Sequence, residues 1–169
     1  IAEREFELFV GIDWSGAKGP RQPGLSVFAA GPGNSVPERV FPPDGRYWSR
    51  FAILDYLRFQ AARKRVLAGI DFAFAYPLLD GDGSICGYFP GYPHSPETAH
   101  DLWMLIDRLN ADRPDLYGGG IWDHPQLGAY YNAPGGRGTA FASRRRLAEQ
   151  VAREVKSPSP TFNCVGPAG

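Results

Sequence analysis

This sequence has few cysteines, no excess of charge of either sign and no long apolar run. Only Cys86 and Cys164 are present, too few for a disulfide framework, so we expect two free thiols in a cytoplasmic protein. The 18 basic side chains equal the 18 acidic ones in number, which argues against a protein that grips nucleic acid by bulk charge. No apolar run is long enough to cross a bilayer and no basic-plus-apolar leader opens the sequence, so we expect no membrane partner.

Histidine is also rare, whereas glycine and proline are abundant. His94, His100 and His124 do not form a recognisable zinc pattern. The 21 glycines and 16 prolines predict several loops between the regular elements. A hydrophobic content of 43% and a length of 169 residues indicate one globular domain over residues 1–169, large enough to bury a core.

Strand and helix patterns follow one another along the chain and predict an α/β fold. Apolar residues run together in two segments that contain Gly-Ile-Asp, 6–13 and 66–75, as in strands buried on both faces. Ser95 is placed to cap a helix, with Pro96 in its first turn. Further strands are predicted over 25–31 (a hairpin with the first strand), 38–41 and 161–166, and helices over 46–63, within 95–111 and within 140–155.

The repeated Gly-Ile-Asp segment places an aspartate in each of two apolar strands. If the first and fourth strands are parallel neighbours, Asp13 and Asp71 meet at the sheet edge where open sheets bind ligands. Two adjacent carboxylates repel one another, and Mg²⁺ or Mn²⁺ would relieve that repulsion. A pair of such ions could clamp the oxygens of a phosphodiester during its hydrolysis. The alternative is that each aspartate only caps the turn that follows it.

Three stretches carry a resemblance to a known family. They are VGIDWSGA, AGIDFAFAYP and RRLAEQVAREVKSPSPTFNCVGPAG, and they are similar to a bacterial family of predicted RNase H-like nucleases. Some members of that family carry labels from molybdopterin-guanine dinucleotide synthesis. The resemblance implies a ribonuclease H-like α/β fold, a mixed sheet of about five strands with helices on both faces. Because the sequence ends at Gly169, we expect a single RNase H-like domain without the usual C-terminal helix.

The resemblance also implies roles for particular residues. Asp13 would bridge the metal ions and Asp71 would be the second ligand, both as catalytic residues. Glu149, preceded by Arg146, matches the Arg-x-x-Glu of the family and would be a third catalytic residue. Ser15 and the amides around Gly16 would hold a phosphate oxygen.

Basic residues close to these motifs could bind phosphate locally. Lys18 follows the first motif, and Arg144, Arg145 and Arg146 precede Glu149. Arginine binds phosphates through two parallel hydrogen bonds. The alternatives are a solvated arginine face and a Glu149 that only pairs charges along its helix.

We therefore predict a metal-dependent nuclease that hydrolyses the phosphodiester bonds of nucleic acid with Mg²⁺ or Mn²⁺. Two other classes stay open. Actin-like ATPases and sugar kinases also begin with a Gly-Ile-Asp strand and a phosphate loop, so the chain could be an ATP-binding half of that fold. A non-catalytic module of the same fold could instead contact a partner through the aromatic loop near Trp122 and Tyr131.

Overall fold

The computed structural model of the protein describes residues 5–33, 35–79, 83–155 and 160–164. These residues form two compact units. The first contains the described residues up to Phe72 together with Pro114–Tyr117, and the second contains those of Ala73–Arg113 and those from Gly118 on. Helices and strands occur in both units, which confirms the predicted α/β class.

A four-stranded mixed sheet organises the first unit. Its elements are β1 (Leu8–Asp13), β2 (Ser26–Ala30), β3 (Glu38–Val40), α1 (Arg50–Ala61) and β4 (Val66–Asp71). The strand order is β3-β2-β1-β4, with β1 antiparallel to β2 and parallel to β4. The predicted hairpin is confirmed, and the first and fourth strands are parallel neighbours.

One face of β1 is buried and the other is exposed. Leu8, Val10 and Ile12 point into the core, whereas the residues between them are exposed. This alternation is typical of a strand with one covered face, so the expectation of burial on both faces is wrong. The sequence pattern was misleading because the exposed face of β1 also carries apolar residues, such as Phe9, which is 38% exposed. In β4 too, the central residues are exposed.

Helix α1 packs on the buried face of this sheet, where Ile53 joins the core formed by Leu25, Val27 and Trp48. The helix begins later than predicted because Ser49 is its N-cap, with Oγ accepting a hydrogen bond from the Ala52 amide at 3.0 Å. The expectation of helices on both faces of the sheet stays a prediction.

The second unit is built from shorter elements. Its first helix is capped by Thr98, whose Oγ1 accepts from the Asp101 amide at 3.1 Å. The expectation that Ser95 is the cap is wrong, because its Oγ accepts from the Phe89 amide at 3.0 Å in the preceding turn. The elements are α2 (Ala99–Leu109), α3 (Gly120–Asp123), a 3₁₀ turn (Leu127–Tyr130), the hairpin strands β5 (Asn132–Ala133) and β6 (Gly136–Arg137), and α4 (Leu147–Ala152).

The C-terminal part of the second unit is less regular than predicted. The helix expected within 140–155 is limited to α4, because Arg146 is its extended N-cap. In place of a strand over 161–166, Asn163 makes a single parallel bridge with Asn132. Residues 165–166 of that predicted strand lie outside the described residues.

Aromatic side chains fill the core of the second unit. Phe89, Tyr131 and Phe162 are at most 2% exposed, and the ring of Tyr76 lies 5.0 to 6.0 Å from all three. Tyr131 is therefore a core residue and is not available for the partner contact that the binding-module alternative assigned to the loop near Trp122 and Tyr131. The half-buried ring of Trp122 also packs on Tyr131, 6.2 Å away.

Both cysteines are free thiols, as expected. Burial raises the pKa of the Cys164 thiol to about 11, so this residue acts as a neutral packing group beside the aromatic core. Across the described ranges, every helix is too short or too polar to span a membrane.

Candidate functional site

Asp13 and Asp71 are register partners at the ends of two parallel strands. In the pairing of β1 with β4, Ile12 lies opposite Ile70 and Asp13 lies opposite Asp71. Neighbouring strands are about 4.8 Å apart, and residues alternate between the two faces along each strand. Since the partners are in register, both aspartates project from the face opposite to Ile12. The register therefore places the two aspartates opposite each other at the carboxyl ends of the two strands.

Neither aspartate is held by a partner among the residues that the structure describes. Both are exposed, and neither carboxylate makes a hydrogen bond or an ion pair with any of the described residues. Capping of the following turn would require a backbone amide donor to each carboxylate, and the described backbone supplies none. Like charges directly opposite each other on neighbouring strands destabilise a sheet. No described side chain therefore offsets the negative charge of either aspartate.

This donor set fits a hard divalent cation. Mg²⁺ commonly binds to proteins through one or two carboxylates and keeps several of its waters. No cluster of three or more His, Cys, Asp or Glu side chains that could hold a metal is present in the described part of the chain. Two adjacent carboxylates therefore suit a partly hydrated Mg²⁺ or Mn²⁺, and they do not suit a structural zinc site with four protein ligands.

A buried arginine holds the loop that follows Asp13. Arg50 is 4% exposed, and its Nη2 donates to the carbonyls of Ser15 and Ala17 at 2.8 and 2.7 Å. Its Nη1 donates to the carbonyl of Asp115 at 3.0 Å. Burial lowers the pKa of the Arg50 guanidinium, and the charge of Asp115 opposes that shift. One planar cation thus binds two carbonyls of the loop, those of Ser15 and Ala17, and links them to the carbonyl of Asp115.

Sequence reasoning missed Arg50, although one signal was available. Arg50 is the first residue of α1, directly after the Ser49 cap. A cation at this end of a helix is disfavoured by the helix dipole. An arginine at this position therefore indicates that its side chain makes contacts with residues outside the helix.

A second buried side chain and a local turn anchor the same loop. Gln22 is 3% exposed, and its Nε2 donates to the carbonyl of Gly19 at 2.8 Å. Gly19 has a φ of 121°, which favours glycine. The Ser15 hydroxyl accepts from the Ala17 amide at 3.3 Å, so it is turned toward its own loop. Gly16 and Lys18 are exposed within this anchored segment.

Aromatic rings follow both aspartates. The centroids of the Trp14 and Phe72 rings are 5.5 Å apart, with the planes tilted by 46°. Phe72 is 41% exposed, so part of this ring pair faces solvent. The contact joins the two strand ends immediately beyond the carboxylates.

Glu149 belongs to the second unit, where it caps α4. Its Oε2 accepts from the Arg146 amide at 2.8 Å, and its Oε1 accepts from Arg146 Nε and Nη2 at 3.0 and 2.6 Å. Glu149 is 8% exposed, so its carboxylate is shielded from solvent, whereas the Arg146 side chain is 36% exposed. These contacts agree with the charge-pairing alternative, and the predicted catalytic role of Glu149 stays a prediction.

The predicted site residues are divided between the two units. Arg145 lies beside the Glu149 cap, and its carbonyl accepts from Gln150 Nε2 at 3.1 Å. Asp13, Ser15, Gly16, Lys18 and Asp71 belong to the first unit, and Arg145, Arg146 and Glu149 to the second.

Comparison with known proteins gives no match, whether with family models, with curated proteins or with solved structures. The resemblance to RNase H-like nucleases therefore stays a prediction based on the three stretches quoted above.

Proposed function

We propose that the protein is a metal-dependent phosphodiester hydrolase that acts on nucleic acid, with Mg²⁺ or Mn²⁺ held by Asp13 and Asp71. The observation that supports this most is the register of β1 and β4, in which Asp13 lies opposite Asp71. A divalent cation would neutralise a repulsion that the described residues leave uncompensated.

The bound cation would supply Lewis-acid chemistry, neutralising phosphate charge and making a water easier to deprotonate. The task of Asp13 and Asp71 is to hold that ion at the edge of the sheet. Because Mg²⁺ often binds through one or two carboxylates together with substrate phosphates, two protein ligands are sufficient for a substrate-dependent site. A two-metal mechanism with a bridging Asp13 remains the finer form of this proposal.

The loop after Asp13 has features that suit a phosphate group. Lys18 is an exposed cation near the carboxylates in sequence, and Gly16 leaves its backbone open to close approach. Because Arg50 already holds the backbone of this loop, the loop would lose little conformational entropy when a ligand binds. Ser15, Gly16 and Lys18 are therefore proposed to orient the phosphate.

The Trp14–Phe72 ring pair supports nucleic acid as the substrate. Aromatic side chains beside a phosphate-binding loop offer flat surfaces on which bases stack without sequence preference. Phe72 is the more exposed of the two rings and is the better candidate for this contact. Because the net charge of the protein is zero, its contacts with the phosphate backbone of nucleic acid would be limited to local basic residues.

A non-catalytic binding module is the second candidate. It is favoured by one observation, the lack of a three-residue acidic or histidine cluster within the described residues. Such a module would still bind the cation and a nucleic acid strand, and it would not cleave.

Calorimetric titration of the whole chain with Mn²⁺ tests the proposal. We expect one Mn²⁺ site that is lost in Asp13→Asn and in Asp71→Asn, because each substitution removes one anionic ligand at nearly constant shape. Asp55→Asn is the matched control, since the Asp55 side chain is 77% exposed on α1. Equal binding by all four proteins would refute the site.

Cleavage of labelled DNA and RNA with Mn²⁺ separates the two candidates. Hydrolysis that requires both aspartates supports the enzyme. Retained Mn²⁺ and strand binding without cleavage supports the module, and saturable binding of ATP alone would favour the ATP-binding alternative.

A further inference from the structure

The exposed face of the four-stranded sheet carries an open apolar groove of about 480 Å³. Its lining includes Phe9, Phe28 and Leu67, which are 38, 42 and 47% exposed. Each described residue that lines the groove is a glycine or has an apolar side chain. Contiguous exposed apolar side chains on one surface often mark a place where a ligand or partner binds.

Two glycines in the same groove are the glycines of the repeated Gly-Ile-Asp segment. Gly11 lies opposite Gly69 in the interior of the paired strands β1 and β4. Neither has the left-handed φ that favours glycine, and a Cβ added at either position would meet no described atom within 4 Å. Glycine weakens the interior of a strand, and it is found there where a ligand or another backbone approaches closely. The described contacts of the chain thus give no reason for these glycines, whereas a ligand would.

The groove and the aspartate pair lie on the same face of the sheet. Side chains alternate between the two faces along a strand, so Gly11 shares a face with Asp13, and Gly69 shares it with Asp71. Two residues of a strand span about 7 Å. A phosphate bound at the aspartate pair would therefore have its neighbouring nucleoside within reach of the groove.

We propose that the groove holds an unpaired nucleobase of the nucleic acid strand whose phosphate binds at the aspartate pair, an inference that rests on the proposed hydrolase function. Every base has a flat face that stacks on aromatic side chains without sequence preference, and Phe9 and Phe28 supply such side chains. The open backbone at Gly11 and Gly69 leaves room for a flat ring. A base inside a duplex is paired and stacked, so the substrate is single-stranded.

The charge at the border of the groove suits the same occupant. Arg39 lies opposite Phe28 on the edge strand β3, and its guanidinium carbon lies 5.4 Å from the centroid of the Phe41 ring. With Arg39 on one side and a cation at the aspartate pair on the other, the phosphates that flank a bound base would meet positive charge. This arrangement favours a nucleic acid strand over a second apolar protein surface as the occupant.

Fluorescence anisotropy with a labelled oligothymidylate tests the groove. The whole chain carrying both Asp13→Asn and Asp71→Asn is used in EDTA, so that neither a metal ion nor repulsion by the two carboxylates affects binding. We expect saturable binding of the single strand and weaker binding of the duplex formed with its complement, because paired bases are out of reach.

Alanine at the two glycines is the decisive change. Gly11→Ala and Gly69→Ala, each made in that background, should weaken single-strand binding about threefold to tenfold, since the added Cβ holds the base away from the sheet. Neither should lower the free energy of unfolding, because the space is open and alanine suits the backbone. Gly135→Ala is the matched control, since a Cβ there also meets no described atom, and it should change the affinity less than about twofold.

The outcomes separate this proposal from the preceding one. No saturable binding of the single strand, or an equal loss in Gly135→Ala, would overturn the base site and leave the Mn²⁺ titration of the wild type unaffected. Dimerisation in sedimentation that Phe28→Ser abolishes would also overturn it, because a second copy would then cover this face. Glycine-dependent strand binding by a protein without an Mn²⁺ site would support the base site and refute the hydrolase.

Discussion

At the scale of single residues, the first unit has an unusual distribution of charge. Two exposed carboxylates, Asp13 and Asp71, lie side by side without a described partner, while the buried cation Arg50 is bound by carbonyls. The proposed Mg²⁺ or Mn²⁺ site would account for this acidic pair. Arg50 has the opposite character, since its contacts tie three backbone segments together and stabilise the unit.

Replacing Arg50 by alanine should destabilise the first unit strongly. The substitution leaves the partly buried carbonyls of Ser15, Ala17 and Asp115 without their donor and removes a buried side chain, which should cost about 2–4 kcal/mol. The free energy of unfolding from urea denaturation measures this loss. Arg58→Ala is the control on the same helix, because Arg58 is 71% exposed and its ion pair with Asp55 is long at 3.9 Å. Similar losses in the two variants would show that Arg50 does not anchor the loop.

At the scale of elements, caps decide where the helices begin. Ser49 and Thr98 accept amide hydrogen bonds at the starts of α1 and α2, and Arg146 with Glu149 closes the start of α4. Each of these starts is later in the chain than the sequence predicts. Hydrophobic periodicity extends across the residues before a cap, so it cannot locate the first helical turn by itself.

The capping contacts of Glu149 lead to a prediction about its role. Glutamine keeps the shape of the side chain and one oxygen that can accept from the Arg146 amide. We therefore expect Glu149→Gln to lower stability by about 1 kcal/mol or less and to leave the Mn²⁺ affinity within twofold of the wild type. Glu154→Gln, at an exposed position after α4, is the control for the change in charge. A loss of Mn²⁺ binding as large as that of Asp13→Asn would instead assign Glu149 to the metal site.

At the scale of the whole molecule, local patterns predicted some features and missed others. The Gly-Ile-Asp repeat predicted two strands with equivalent ends, and these strands pair in parallel and in register. The face of β1 that is covered could not be read from a run in which both faces are apolar. The burial of Tyr131 depends on Phe89 and Phe162, which are distant in sequence.

The aromatic core of the second unit predicts a loss of stability at alkaline pH. Burial raises the pKa of Tyr76 to about 12 and that of Cys164 to about 11, from ordinary values of 10.0 and 9.0. The folded chain therefore holds these protons more tightly than the unfolded chain does. Their contribution should be complete below about pH 9 and should be lost as the pH rises to about 12.

Urea unfolding at a series of pH values between about 8 and 12 measures this effect. Tyr76→Phe should flatten the decline, because it removes one group that must otherwise ionise within the core. Tyr47→Phe, in the first unit, should leave the decline unchanged. A free energy of unfolding that is independent of pH in this range would show that the core tolerates the ionised forms.

The central claim is that Asp13 and Asp71 share one cation, and anomalous diffraction from a crystal soaked in Mn²⁺ tests it most directly. We predict one anomalous peak between the two side chains, about 2.1 Å from an oxygen of each carboxylate. A peak that touches only one of them, or Mn²⁺ bound elsewhere with no density at this edge of the sheet, would contradict the claim.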